Sequence, residues 1–200
     1  MPVLTRIVGI MLLRAGPQHL PYSVPLMLSL VLLYVVSGVA VLDSSMDTNY
    51  ALGNMLLDVV VLFAFTWFCL SLLKFRQRFV QTIIALAGIG VVYHLLAWPL
   101  LLDLQDMQAE AQGVKMSAVL MLLLLSWQVL VYGHVFRHAM EMSMSRALAL
   151  SFGYLFLSIA VADIVFPGAL IAYTYIRDMW DFHGWCCRAC QAGGTYREWF

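Results

Sequence analysis

Apolar residues in this chain follow neither the two-residue alternation of a half-buried strand nor the narrow stripe of a surface helix; they come in long runs. Five runs reach the roughly 20 residues needed to cross about 30 Å of hydrocarbon. They are Ser23–Leu42, Asn54–Leu73, Val80–Leu102, Val114–Phe136 and Ala147–Tyr175, the last carrying Pro167-Gly168. The absence of strict alternation argues against a barrel. Ahead of the first run, Leu4, Ile7, Val8, Met11 and Leu12 fall at helical spacing with Arg6 and Arg14 elsewhere, which predicts an amphipathic helix lying in the membrane interface. Its apolar stretch, Ile7 to Leu13, is short and closed by Arg14 rather than by a small-residue cleavage site, so it does not read as a signal peptide. Gly16-Pro17 ends this helix, and Pro21 and Pro25 lead into the first span. The expected fold is all-α: a polytopic membrane helical bundle with five transmembrane helices and an N-terminal interfacial helix. Residues 1–22 form the amphipathic segment, 23–175 the five-span domain and 176–200 a tail rich in Cys and Trp.

Composition excludes a water-soluble globule. Of 200 residues 63% are hydrophobic and 11% charged, with a mean hydropathy of +0.88; a soluble domain is about 45–50% apolar and about 25% charged. Lys plus Arg and Asp plus Glu both number 11, which leaves no basic excess for nucleic acid.

The placement of these charges predicts orientation. Arg6 and Arg14 precede the first span, and Lys74, Arg76 and Arg78 fill the second loop. Arg137 and Arg146 flank the fourth loop, against Glu141. The first loop holds Asp43 and Asp47, and the third Asp103, Asp106 and Glu110 against Lys115. Basic loops face the cytoplasm. The expectation is a bacterial inner-membrane protein with a cytoplasmic N-terminus and an exported tail.

The segment Leu13-Arg-Ala-Gly-Pro-Gln-His-Leu-Pro-Tyr-Ser23, running into an apolar helix, resembles the stretch before the first span in small bacterial membrane proteins. Together with five spans and the orientation above, the chain resembles the Yip family, by topology over roughly Leu4 to Tyr175. The resemblance implies an integral membrane protein without catalysis. Eukaryotic members are associated with small GTPases and membrane traffic. This chain lacks their long cytosolic N-terminal region, so GTPase binding does not carry over, and no family functional residue maps onto a position here.

An ionisable residue at the centre of a span costs about 2.5–3.5 kcal/mol on insertion scales and asks for a reason. At 1.5 Å per residue, Asp58 is expected about 6 Å inside the outer face, His94 about 21 Å up the third span and Asp163 about 24 Å up the fifth. All three share the outer leaflet, as a polar or proton-linked pocket or as interhelical hydrogen bonds. Haem ligation would need membrane histidines at one depth. His134 and His138 sit at the inner end of the fourth span, away from His94. Their i, i+4 spacing can hold a metal, but no Glu follows His134 to complete a hydrolytic motif, and an interface pair is the simpler reading. Ser126 and Gln128 read as packing groups, and Gly88, Gly90, Ser158 and Ala162 as sites of close helix approach. Asp163 with Pro167 predicts a kink and a cavity in the fifth span. Trp67, Trp98 and Trp127 need no special role.

In the tail, His183, Cys186, Cys187 and Cys190 can form a disulfide or hold a metal, or can be without function. Cys69, toward the cytoplasmic side of the second span, supplies no second exported pair for a thiol relay. There is no Gly-rich phosphate loop, no nucleophile–base pair at shared depth and no inverted repeat. No cofactor is expected. The favoured reading is a non-enzymatic membrane protein whose partners are the lipid bilayer, other membrane proteins or further copies of itself. The alternative is a small proton-linked transporter or a thiol-redox membrane enzyme.

Overall fold

A computed structural model describes residues 3–44, 47–105 and 116–166. Within these residues the chain is helical with no strand. The helices are α1 (Val3–Met11), α2 (Val24–Leu42), α3 (Thr48–Leu72), α4 (Phe79–Gln105), α5 (Met116–Met140) and α6 (Met144–Val165). Helices α2 to α6 are each long and apolar enough to cross a membrane. The protein is a membrane helical bundle of five spans plus a short N-terminal helix.

Local chemistry sets the boundaries. Ser23 caps α2 by accepting the Leu26 N–H at 3.4 Å, and proline in the first turn gives up only an N–H that had no helical partner. Helix α3 begins at Thr48 rather than Asn54, because Asp47 and Thr48 open a turn that hydropathy alone does not register. Helix α4 runs through Pro99. Helix α6 stops at Val165, and Phe166 has left the helical region at φ −126° and ψ 70°. A residue before proline is driven out of the α region. The described part of the fifth span ends here; its expected continuation through Pro167 to Tyr175 lies outside the described residues.

The antiparallel order gathers Lys74, Arg76, Arg78, Arg137 and Arg146 at one end and Asp43, Asp47 and Asp103 at the other. At the basic end Arg78 donates to Glu141 at 2.5 Å and to the carbonyls of His138 and Ala139, joining the second loop to the end of α5. Helices α1, α3 and α5 all close on a left-handed residue that is not glycine: Leu13, Lys74 and Glu141, with φ of 60°, 63° and 53°. At Lys74 the Phe75 N–H reaches back to the Leu70 carbonyl and the Lys74 N–H to that of Ser71, the paired bonds of a Schellman end. A side chain there carries a steric penalty that glycine lacks. Lys74→Gly is expected to raise stability by about 0.5–1 kcal/mol in detergent unfolding, net of the extra unfolded-chain entropy of glycine. A loss of stability would show that the Lys74 side chain itself anchors this end.

Helix α4 is the axis. Ile83, Ile84, Ala85, Leu86, Ala87 and Ile89 are fully buried, with α2 and α5 packed along it. The outer surface of the bundle is apolar, with Leu32, Phe68, Leu122, Phe156 and Ile164 exposed. Such a surface is untenable in water and costless against lipid chains.

The N-terminal helix is amphipathic as expected, and its buried face packs on the bundle. Ile7 and Ile10 are buried in the bundle core while Leu4, Val8 and Leu12 face outward. Ile7 lies against Gly88, nine residues and so about 14 Å along α4 from the basic end. The helix is wedged against α4 and α5 because its two isoleucines find close-packed protein there.

A carboxylate chamber in the middle of the bundle

Asp58 stands ten residues into α3, about 15 Å from the acidic end and about 21 Å from the basic end. It stands near the middle of α3, farther along its helix than hydropathy predicts, because α3 starts six residues earlier than expected. Three hydroxyls converge on it. Tyr34 of α2 donates to Oδ2 at 2.6 Å; Tyr154 and Ser158 of α6 donate to Oδ1 at 3.1 and 2.6 Å. Tyr34 and Tyr154 both lie ten residues, about 15 Å, from the basic ends of their helices, about one turn from the height of Asp58, a gap their long side chains span. These bonds replace water around a carboxylate that the bilayer would otherwise leave unsolvated.

Two periodicities bring the donors together. Tyr154, Ser158 and Ala162 repeat at i, i+4 and so form one stripe of α6 facing the chamber. On α2 and α4, glycine makes room for the tyrosine: a Cβ at Gly90 would meet the Tyr34 ring, with Cδ2 at 2.7 Å. Behind Tyr34, the His94 ring stacks at a centroid distance of 4.8 Å. His94 Nδ1 is hydrogen-bonded to the Ser37 hydroxyl at 2.9 Å. Asp58 and His94 thus belong to one polar cluster linking α2, α3, α4 and α6, with Tyr34 between them.

Beside Asp58 lies an open-sided recess of about 190 Å³ lined from α2, α3, α5 and α6. Tyr34, Tyr132 and Tyr154 line its deep part, and Asn54, Gln128 and Ala162 carry it toward the acidic end. Tyr132 and Tyr154 have ring centroids 5.9 Å apart. No basic side chain lines this chamber among the described residues.

Asp163 is not brought to the chamber. It is nine residues beyond Tyr154, about 180° around the helix at 100° per residue, so it points the other way. His134 and His138 lie near the basic end and engage the N-terminal segment. Nε2 of His134 is 3.1 Å from the Ala15 carbonyl, the two imidazoles meet edge to face, and Gly16 packs against His138. Gln81 donates to the Leu20 carbonyl at 2.9 Å, fastening the same segment to α4. Gln128 lines the chamber, whereas the Ser126 hydroxyl returns to its own helix at the Leu122 carbonyl.

Among the described residues no three His, Cys, Asp or Glu side chains come together as a metal site. Cys69 is buried and free. His183, Cys186, Cys187 and Cys190 lie outside the described residues. Tyr34, Tyr132 and Tyr154 are candidate-site residues that hydropathy and charge do not single out; the i, i+4 stripe of Tyr154, Ser158 and Ala162 is the available signal. Comparison with protein-family models, with characterised proteins and with solved structures finds no match to this chain.

Proposed function

We propose that this chain is a non-enzymatic integral membrane protein that works by binding, with the chamber around Asp58 as its binding element. The observation that carries this reading is a carboxylate halfway along an apolar helix, fixed by three hydroxyls beside an open-sided recess of about 190 Å³. An intramembrane acid that only joined helices would need no adjoining space; one that receives a solute or a proton does. The groups gathered there are a carboxylate, phenols, amides and a hydroxyl. None is paired as a nucleophile with a base, which favours binding or proton-linked passage over catalysis.

The basic end is assigned to the cytoplasm and the acidic end to the outside of a bacterial inner membrane, on the alternation of Lys and Arg between loops. The chamber then faces the exterior. The Yip-like identity stays within this proposal on the strength of five spans and the Leu13–Ser23 segment, and partner proteins or lipids would read the state of the chamber from the outer helix faces.

The test is reactivity of Gln128→Cys and Ala162→Cys toward a small impermeant methanethiosulfonate, in full-length protein with Cys69, Cys186, Cys187 and Cys190 replaced by Ala or Ser. Reaction at both positions in intact cells supports a water-filled chamber open to the exterior. Reaction only in inverted vesicles would reverse the orientation. Reaction only after unfolding in SDS would overturn the chamber reading.

A further inference from the structure

We infer that the chamber takes a small organic cation of the methylated-ammonium class, an assignment that rests on the chamber being a binding site. Its lining carries one carboxylate and no basic side chain among the described residues. An entering anion would meet Asp58 without a compensating charge. A neutral apolar guest would cover the carboxylate and leave it with no counter-charge in a medium of low dielectric. A cation answers both conditions.

The walls narrow the class further. Tyr34, Tyr132 and Tyr154 gather three aromatic rings around the acid, and aromatic side chains with a carboxylate are the surroundings in which quaternary and methylated ammonium groups are held by cation–π attraction. The hydroxyls of Tyr34, Tyr154 and Ser158 are already given to Asp58, so they are not free to donate to a ligand. A bare hard metal ion takes six or more oxygens, usually with more than one carboxylate, and this lining offers one carboxylate with the two amides of Asn54 and Gln128. A methylated ammonium needs none; it needs ring surface and a nearby negative charge. Size agrees: a cavity of about 150 Å³ holds benzene, so about 190 Å³ suits a guest of roughly six to eight heavy atoms, the size of choline.

The test uses full-length protein carrying Ala162→Cys in the background described above, with choline chloride, tetramethylammonium chloride, the uncharged choline isostere 3,3-dimethyl-1-butanol, and sodium chloride as probes. For a millimolar dissociation constant, choline at about 10 mM is expected to slow thiol labelling about tenfold, with tetramethylammonium similar and the isostere and sodium without effect. Asp58→Asn is expected to abolish this protection. Equal protection by the uncharged isostere, protection surviving Asp58→Asn, or unprotected labelling at all choline concentrations would overturn the cation assignment while leaving the chamber intact. Absence of labelling without any ligand would overturn the chamber itself. The comparison of charged with uncharged probe is made on the unaltered lining, so it decides the matter even where Asp58→Asn fails to fold.

Discussion

Replacing Asp58 by Leu is expected to weaken the bundle by about 3 kcal/mol while making its span easier to insert, and the two effects should be separable. The loss comes from the donors. Tyr34 and Tyr154 are each only 6% exposed, so their hydroxyls have little access to solvent once the carboxylate is gone. Each orphaned buried hydroxyl costs about 1–3 kcal/mol by the soluble-protein measure and about 0.6, at most about 1.7, by membrane double-mutant cycles. Three of them sum to about 3–9 kcal/mol on the first count and about 2–5 kcal/mol on the second, and about 3 kcal/mol lies where the two ranges overlap. Against this stands the insertion gain from removing an acid, but that gain belongs to the step in which α3 enters the bilayer. In the inserted, unassembled state Asp58 faces lipid or the interface; in the bundle it faces three hydroxyls. Its removal therefore penalises assembly alone. The measurement is SDS titration of full-length protein for stability, alongside membrane-fraction yield for insertion. Asp58→Asn keeps one carbonyl acceptor and is expected to lose about half as much. An Asp58→Leu protein as resistant to SDS as the parent would mean that water in the cavity already satisfies these hydroxyls.

How much of this was legible before the structure depends on which dimension each feature occupies. The five spans were, because a bilayer demands an uninterrupted apolar length and the chain supplies it five times. Height within the membrane was partly so. It grouped Asp58 with His94, and both join one polar cluster around Tyr34, while the polar opening of α3, Thr48-Asn-Tyr-Ala-Leu-Gly-Asn54, is helical despite its modest hydropathy. Azimuth is not encoded in depth. Asp163, about 28 Å from the basic end against about 21 Å for Asp58, is more than one turn beyond it and on the other side of α6. The three tyrosines gave no signal because aromatic residues are ordinary in spans. The N-terminal helix shows the same gap: its spacing marks Ile7, Val8 and Leu12 alike as apolar, but protein and lipid are both apolar, and only packing tells that Ile7 and Ile10 face α4 and α5. The i, i+4 spacing of Tyr154, Ser158 and Ala162 is the one sequence feature here that encodes facing as well as height.

The second large effect is expected at Gly90, where a single methyl group should cost about 2–3 kcal/mol and disturb the chamber from behind. A Cβ there would press into the Tyr34 ring. That ring has no easy retreat: its hydroxyl is held at 2.6 Å by Asp58 and its face is stacked on His94. Relief must come from breaking the Tyr34–Asp58 bond or from separating α2 from α4. Gly88, one half-turn earlier, makes the informative comparison. Its Cβ would meet Ile7 Cδ1 at 2.7 Å, the free end of an aliphatic side chain that can change rotamer, so Gly88→Ala is expected to cost less than about 1 kcal/mol. Both substitutions raise helix propensity equally, which leaves the neighbour as the difference. SDS unfolding of the two single variants measures it, and the pair Gly90→Ala with Tyr34→Leu closes a cycle. If the ring is the obstacle, the double variant is more stable than the sum of its parts predicts by about 1–2 kcal/mol. Strict additivity would place the strain elsewhere along the α2–α4 contact and separate the glycine from the carboxylate chamber it is held to shape.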